Sequence, residues 1–299
     1  MRGVGPADST GKPSVTYWPG GTRAAASLGG FYMTHIRDEA DRSIEAFEEA
    51  IAIGERGGIP VQISHIKLGT VGVWGKMPDV LSRIEAARRR GLDLTADVYP
   101  YTAWHSNIEV LVPNKRYDDP ASVAEALADV GGAANVTVTR CRAHPEYEKR
   151  TMEEIARAEG ITPVELYIRI VKEGGASIIG HSMREEDVEE FLRQPWVMVG
   201  SDGGIDSSHP RGAGTFPRVL GRYVREKGLI ALPEAVRKMT AMPAARLKLS
   251  DRGRIAPGMK ADLVLFDPKA ISDRSTFEDP QALAVGLRHV FVNGELVWG

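Results

Sequence analysis

Four short runs end in residues that can hold a metal or move a proton. YMTHIRDE carries His35, ISHIK carries His65 with Lys67 two residues on, ADVYPY carries Asp97 and Tyr99, and VGSDGG carries Asp202. The histidines offer imidazole nitrogens and Asp202 offers a carboxylate, and an N/O donor set of this kind suits Zn²⁺. A catalytic zinc needs three protein ligands and an open position for water, whose pKa it lowers toward about 7. Asp202 could also take that water's proton as a general base. Each residue alone has a plainer reading. A histidine at a strand end is often a satisfied core group, Lys67 could lay its stem along apolar surface, and Tyr99 could pack with its hydroxyl bonded. The chemistry requires that they converge, and convergence depends on the elements that carry them.

Those elements alternate. GGFYMTHI (29–36), IPVQISHIKL (59–68), LDLTADVYPY (92–101) and WVMVGSDGG (196–204) read as buried strands. Between the first three, helices are predicted over 38–56, closing at Gly57-Gly58, and over 77–90, closing on Gly91. Strand and helix in turn, at intervals of about 30 residues, is the pattern of a parallel sheet in an α/β fold. In such sheets catalytic groups gather at the C-terminal ends of the strands, which is where His35, His65, Tyr99 and Asp202 stand. Residues 105–195 are less regular, with helices predicted near 151–159, 163–173 and 184–194. Further helices are predicted near 216–227 and 232–242. Residues 1–28, rich in Gly, Pro, Ser and Thr, read as an irregular lead-in. Turn chemistry at Pro257-Gly258 and Asn293-Gly294 among apolar runs predicts a small β module over 248–299, with Asn-Gly marking a hairpin.

Composition bounds the partners. The 299 residues fit one large domain, or one with an appendage. At 42% hydrophobic and 26% charged residues, the chain can bury an ordinary core. Lys and Arg number 38 against 40 Asp and Glu, a net charge of −2, so no basic surplus points to nucleic acid. The single cysteine, Cys141, excludes a disulfide framework and a Cys-rich zinc site. No apolar run reaches the roughly 18 residues that span a bilayer, and the first residues lack the apolar region of a signal peptide. No membrane partner is expected, and the expected location is the cytoplasm.

The runs YMTHIRDE, ISHIK, ADVYPY, GSDGG…HPR…GTFPRVLGRYVRE and DRGRIAPGMKADLVLFDP, in this order, resemble the D-aminoacylase (N-acyl-D-amino-acid deacylase) branch of the amidohydrolase superfamily. The resemblance extends from about residue 29 to the C-terminus. It implies a metal-dependent (β/α)8 barrel, a β-sandwich built from both chain ends, zinc as cofactor, and hydrolysis of the amide of a small N-acyl-D-amino acid substrate. By the same resemblance His35 and His65 are metal ligands on barrel strands five and six. Asp202 is the strand-eight aspartate, ligand and general base. Lys67, Tyr99 and Arg211 hold the substrate's α-carboxylate, a task that suits a bidentate guanidinium and a charge-assisting ammonium.

The implied organisation is a lead-in at 1–28, then a partial barrel of about strands 5–8 over 29–247 with an insert at about 105–195, then the β module at 248–299. Three features depart from the family pattern. The chain has no H-x-H pair, it has no cysteine upstream of His35, and Trp104, His105 and Ser106 follow YPY where the family tends to small residues and a serine. The chain is therefore expected to correspond to the C-terminal portion of a longer enzyme. Its open sheet edge is expected to need the missing N-terminal half or to drive oligomerisation. Two alternatives stay open: an amidohydrolase for another linear or cyclic amide, and a catalytically silent partial chain.

Overall fold

The computed structural model describes residues 19–299. After helix α1 (Pro19–Ser27) the chain alternates β1 (Tyr32–Thr34), α2 (Ser43–Gly57), β2 (Val61–Ile63), α3 (Met77–Arg89) and β3 (Leu94–Val98). It then builds β4 (Trp104–Asn107), α4 (Pro120–Asp129), β5 (Val136–Arg140), β6 (Arg150–Thr151), α5 (Met152–Glu159), α6 (Pro163–Lys172) and β7 (Ser177–Gly180). Helix α7 (Glu185–Arg193) leads back to β8 (Val197–Val199). Helix α8 (Arg211–Arg218) runs into a π-helical stretch, Val219–Glu226. It is followed by α9 (Leu232–Met239), α10 (Ala241–Arg246), β9 (Leu263–Phe266), β10 (Leu287–Val292) and β11 (Glu295–Trp298).

The four strands expected from the sequence form one parallel sheet in the order β1-β2-β3-β8. Val61, Ile63, Leu94, Ala96, Val98, Val197 and Val199 are all buried, as parallel strands covered on both faces must be. Phe47 and Ile51 of α2, Val80 and Ile84 of α3, and Phe191 and Leu192 of α7 complete that core. The fold is α/β, and its parallel sheet is open, with β1 and β8 at the edges.

The segment between β3 and β8 is more ordered than its sequence suggested. It forms an antiparallel sheet, β4-β7-β5-β6, over a separate core of Val136, Val138, Leu166, Tyr167, Ile170 and Ile178. Its helices α5 and α6 each begin with a capping box, Thr151 with Glu154 and Thr162 with Glu165. The C-terminal strands pair antiparallel as β11-β10-β9. Asn293 and Gly294 both take positive φ, 52° and 88°, which the two-residue hairpin turn between β10 and β11 requires. This sheet leaves Val264, Leu265, Leu296, Val297 and Trp298 exposed. Among the described residues no helix is long and apolar enough to cross a membrane.

Several boundaries differ from the sequence-based expectation. The end of the expected irregular lead-in is helix α1, whose alanine run favours helix despite the glycines before it; residues 1–18 lie outside the described residues. Helix α2 starts at Ser43 rather than 38, because Asp38 Oδ1 accepts the N–H groups of Ala40 (2.8 Å) and Arg42 (3.3 Å) and holds a turn there. Helix α8 starts at Arg211 instead of 216; the HPRGAG composition reads as loop, yet the segment is helical. The helix expected at 232–242 is two helices, broken at Thr240.

Candidate active site

Register carries the chemistry to one rim. Thr34 pairs with Ile63, Ile63 with Ala96, and Val98 with Val199, so the strands end nearly level. His35 follows β1 directly, His65 stands two residues past β2, Tyr99 follows β3 and Asp202 stands three past β8. Two of these have left-handed backbones, His65 at φ 39° and Asp202 at φ 47°. Non-glycine residues rarely adopt such angles, and they persist where surrounding bonds enforce them. For His65 the enforcing group is Asp97. Its Oδ1 accepts the His65 N–H at 2.8 Å and its Oδ2 accepts Gln62 Nε2–H at 2.7 Å. Burial pushes the Asp97 carboxyl up, and these two hydrogen bonds oppose the push. After Asp202, Gly203 allows a close crossing, since a Cβ there would run into the backbone of Gly212.

One cluster gathers beneath β1 and β2. The rings of His35 and His65 stand edge to face with centroids 4.5 Å apart, and His35 Nδ1 lies 2.8 Å from His65 Nε2. Glu39 closes the group, with Oε1 at 3.0 Å from His65 Nδ1 and Oε2 at 3.6 Å from His35 Nε2. One donor atom from each of His35, Glu39 and His65 lies within 4.8 Å of the others. Lys67, almost wholly buried, places Nζ 2.6 Å from Glu39 Oε1 and 2.6 Å from His65 Nδ1. Burial alone would raise the Glu39 carboxyl, but the Lys67 charge and the imidazoles bring it down to about 2. Burial lowers the Lys67 ammonium, against the pull of Glu39. The two effects agree on an ionised glutamate facing a lysine taken out of water.

A second cluster lies beneath β3 and β8. Arg211, 5% exposed, pairs through Nη2 with Asp202 Oδ2 at 2.8 Å. Its guanidinium carbon sits 4.6 Å from the centre of the Tyr99 ring, and Lys67 Nζ sits 5.6 Å from the same ring. The Tyr99 hydroxyl points to Met183 Sδ at 3.7 Å, and burial pushes it well above its usual range. Arg211 Nε is buried with no hydrogen-bond partner. A buried N–H of a permanent cation left in this way is costly unless an acceptor reaches it.

Both clusters line one cleft of about 310 Å³. Trp104, His105 and Ser106 form part of its wall, with Val110, Leu111 and Val130 of the antiparallel unit. Trp104 is fixed by its indole N–H, which donates to Ser182 Oγ at 2.9 Å. All six residues singled out by sequence therefore face the same cleft. His35, His65 and Lys67 fall in one cluster, with Asp202, Arg211 and Tyr99 in the other; Asp202 lies against Arg211, outside the three-residue donor group. Sequence reasoning missed Glu39, although it stands in the same YMTHIRDE run four residues after His35. It falls within the 38–56 segment whose pattern predicts helix, and the Asp38 turn delays the start of that helix to Ser43.

An α/β sheet with histidines and a carboxylate past its strand ends, and a buried arginine opening the helix after β8, is the arrangement to compare with known proteins. The chain belongs to the amidohydrolase family, whose model matches residues 31–298. Among curated proteins it is 37% identical over 292 residues to N-acyl-D-glutamate deacylase of Alcaligenes xylosoxydans xylosoxydans, covering 94% of this chain and 56% of that protein. It is 37% identical over 278 residues to D-aminoacylase of the same organism, covering 92% and 53%. The crystal structure of N-acyl-D-glutamate deacylase from Bordetella bronchiseptica, complexed with zinc and a phosphonate inhibitor, matches with TM-score 0.83 and 34% identity, over 94% of this chain and 55% of that one. The chain thus spans about half the length of the curated relatives it matches.

Proposed function

We propose that the chain hydrolyses the amide bond of N-acyl-D-amino acids, releasing a D-amino acid and a carboxylic acid, with zinc at the His35–His65 cluster. The observation that carries this reading is one cleft with convergent imidazoles at one end and a buried, under-bonded Arg211 at the other. The donor set fits zinc, since two ring nitrogens and a carboxylate come within reach of one ion. Glu39 Oε1, 3.0 Å from His65 Nδ1, also orients that ring, whose Nε2 lies 2.8 Å from His35 Nδ1. Asp202, which lines the same cleft and pairs with Arg211, stands outside that donor group and joins the reading as the general base and, by the family resemblance, as a further ligand. When bound, zinc supplies a water acidic enough to attack at neutral pH and polarises the amide carbonyl.

The protein groups then divide the work. Arg211 and Lys67 draw the substrate's α-carboxylate, Arg211 through the Nε–H that has no other partner. Tyr99 gives both cations a flat, dry floor. Asp202 keeps Oδ2 on Arg211, so Oδ1 is the atom that takes the proton from the attacking water and returns it to the leaving nitrogen. The open sheet corresponds to about strands 5–8 of a (β/α)8 barrel, and residues 248–299 to a β module of a composite sandwich. The exposed apolar faces of β9–β11 favour association, as an oligomer or with a complementary N-terminal half. The test is to purify the chain, measure zinc per chain, and assay N-acetyl-D-amino acids against their L-enantiomers. Zinc bound and lost on His35→Ala, with D-selective turnover, is the expected result. Zinc bound without turnover favours the silent partial chain, and turnover confined to cyclic amides favours the other amidohydrolase reading.

A further inference from the structure

The HPR run that carries Arg211 begins with a histidine that the proposed reaction does not use. His209 is fully buried. Its Nδ1 accepts the backbone N–H of Arg211 at 3.0 Å, and its Nε2 faces the carbonyl of Ala103 at 3.0 Å. Those two partners fix the tautomer, because an acceptor is needed at Nδ1 and a donor at Nε2. The ring is held on its other sides by Tyr101 and Phe277, with centroids at 5.4 and 5.2 Å. Burial, then the neighbouring Arg211, lower its pKa to about 2, so the ring stays neutral and both bonds persist.

The two partners matter for what they adjoin. The Arg211 N–H opens helix α8, where first-turn N–H groups have no partner within the helix. The residue before it is Pro210, which offers no side-chain cap. His209 supplies that acceptor. Ala103 directly precedes Trp104, the start of the cleft wall. One rigid ring therefore spans the arginine's backbone and the root of the wall.

We infer that His209 is a positioning residue, whose ring ties the Arg211 backbone to Ala103 and so sets the guanidinium over Tyr99 for the substrate carboxylate. The inference rests on reading Arg211 as the carboxylate-binding group. Plain core filling would need only bulk at this place. A positioning role needs an acceptor where Nδ1 stands.

Two variants of like polarity separate these. In His209→Asn the amide oxygen takes the place of Nδ1 and keeps the acceptor for Arg211. In His209→Gln the amide nitrogen takes the place of Nε2, which keeps the Ala103 bond and loses the other. Binding of N-acetyl-D-leucine and of N-acetyl-D-leucinamide to the full chain is measured by calorimetry, with thermal melts as a control. The wild type should prefer the acid. His209→Asn should keep most of that preference, and His209→Gln should lose about tenfold of it, the loss of one effective hydrogen bond. Adding His209→Gln to Arg211→Ala should change the acid-to-amide ratio no further. Equal ratios in the two variants, or equal weakening of acid and amide in both, overturn the positioning role and leave the Arg211 reading standing. A wild-type chain that binds acid and amide alike, or neither, overturns the Arg211 reading and the inference with it.

Discussion

Asp97 is the residue whose removal should show how far the fold aims the site. It never touches the cleft chemistry, yet it holds His65 in a left-handed backbone through the 2.8 Å bond from the His65 N–H. Asp97→Ala deletes two bonds to a charged acceptor, each worth about 1.5–3 kcal/mol. It also strands Gln62 Nε2, which is buried and has otherwise only a 3.4 Å contact to Ile63 O. The burial that raises the Asp97 carboxyl offsets part of this, because an ionised carboxylate there is itself costly. The net loss should be about 3 kcal/mol. Asp97→Asn keeps one acceptor oxygen for His65 but turns an N–H₂ toward Gln62 Nε2, so about 1–2 kcal/mol is expected. Urea unfolding at pH 7 reads both values, and a competition titration reads zinc. With His65 no longer aimed, zinc affinity should fall about 10- to 100-fold in Asp97→Ala. If Asp97→Ala unfolds within about 0.5 kcal/mol of wild type and binds zinc as tightly, the argument that this carboxylate enforces the His65 geometry is refuted.

Arg211→Ala should raise KM for N-acetyl-D-amino acids while leaving the corresponding amides nearly unchanged, a loss of about 10- to 150-fold in kcat/KM on the acids alone; equal losses on both would remove the carboxylate role. Acid should destabilise the chain through His209. Its folded value is held down to about 2, against about 6.5 when unfolded, so below pH 6.5 the unfolded chain binds a proton that the folded chain excludes. The His209 contribution is whole above pH 6.5 and is lost progressively as the pH falls from there, about 2 kcal/mol by pH 5, and urea midpoints of His209→Asn should show one proton less of pH dependence over that window. Gly180→Ala should displace Trp104, because a Cβ there would overlap the indole ring, at a cost of about 1–3 kcal/mol and with a change in side-chain preference at the cleft wall, read by melting and by a panel of N-acetyl-D-amino acids.

The parallel sheet was legible in the sequence because its strands are short, apolar and bounded by glycine or proline, and because the first three alternate with helical patterns at intervals of about 30 residues. The placing of His35, His65, Tyr99 and Asp202 followed, since the C-terminal ends of parallel strands share one rim. The hairpin at Asn293-Gly294 was equally local, a matter of two residues that tolerate positive φ. The antiparallel unit was harder, though VTVTR at β5 alternates buried and half-buried residues with period two. Its partner strand WHSN is polar and owes its strand geometry to pairing with β7, which no local pattern announces.

What tertiary structure decided was which charges meet. Glu39 enters the site because an Asp38 turn delays helix α2, and Asp202 lies on Arg211 because Gly203 and Gly212 cross closely. His209 stands beside Arg211 in sequence, but its second bond runs to Ala103, 106 residues away. Sequence spacing sets which side chains leave a strand end. Burial and hydrogen bonding between distant segments then determine which of them remain charged, which remain neutral, and which keep a polar atom free for a substrate.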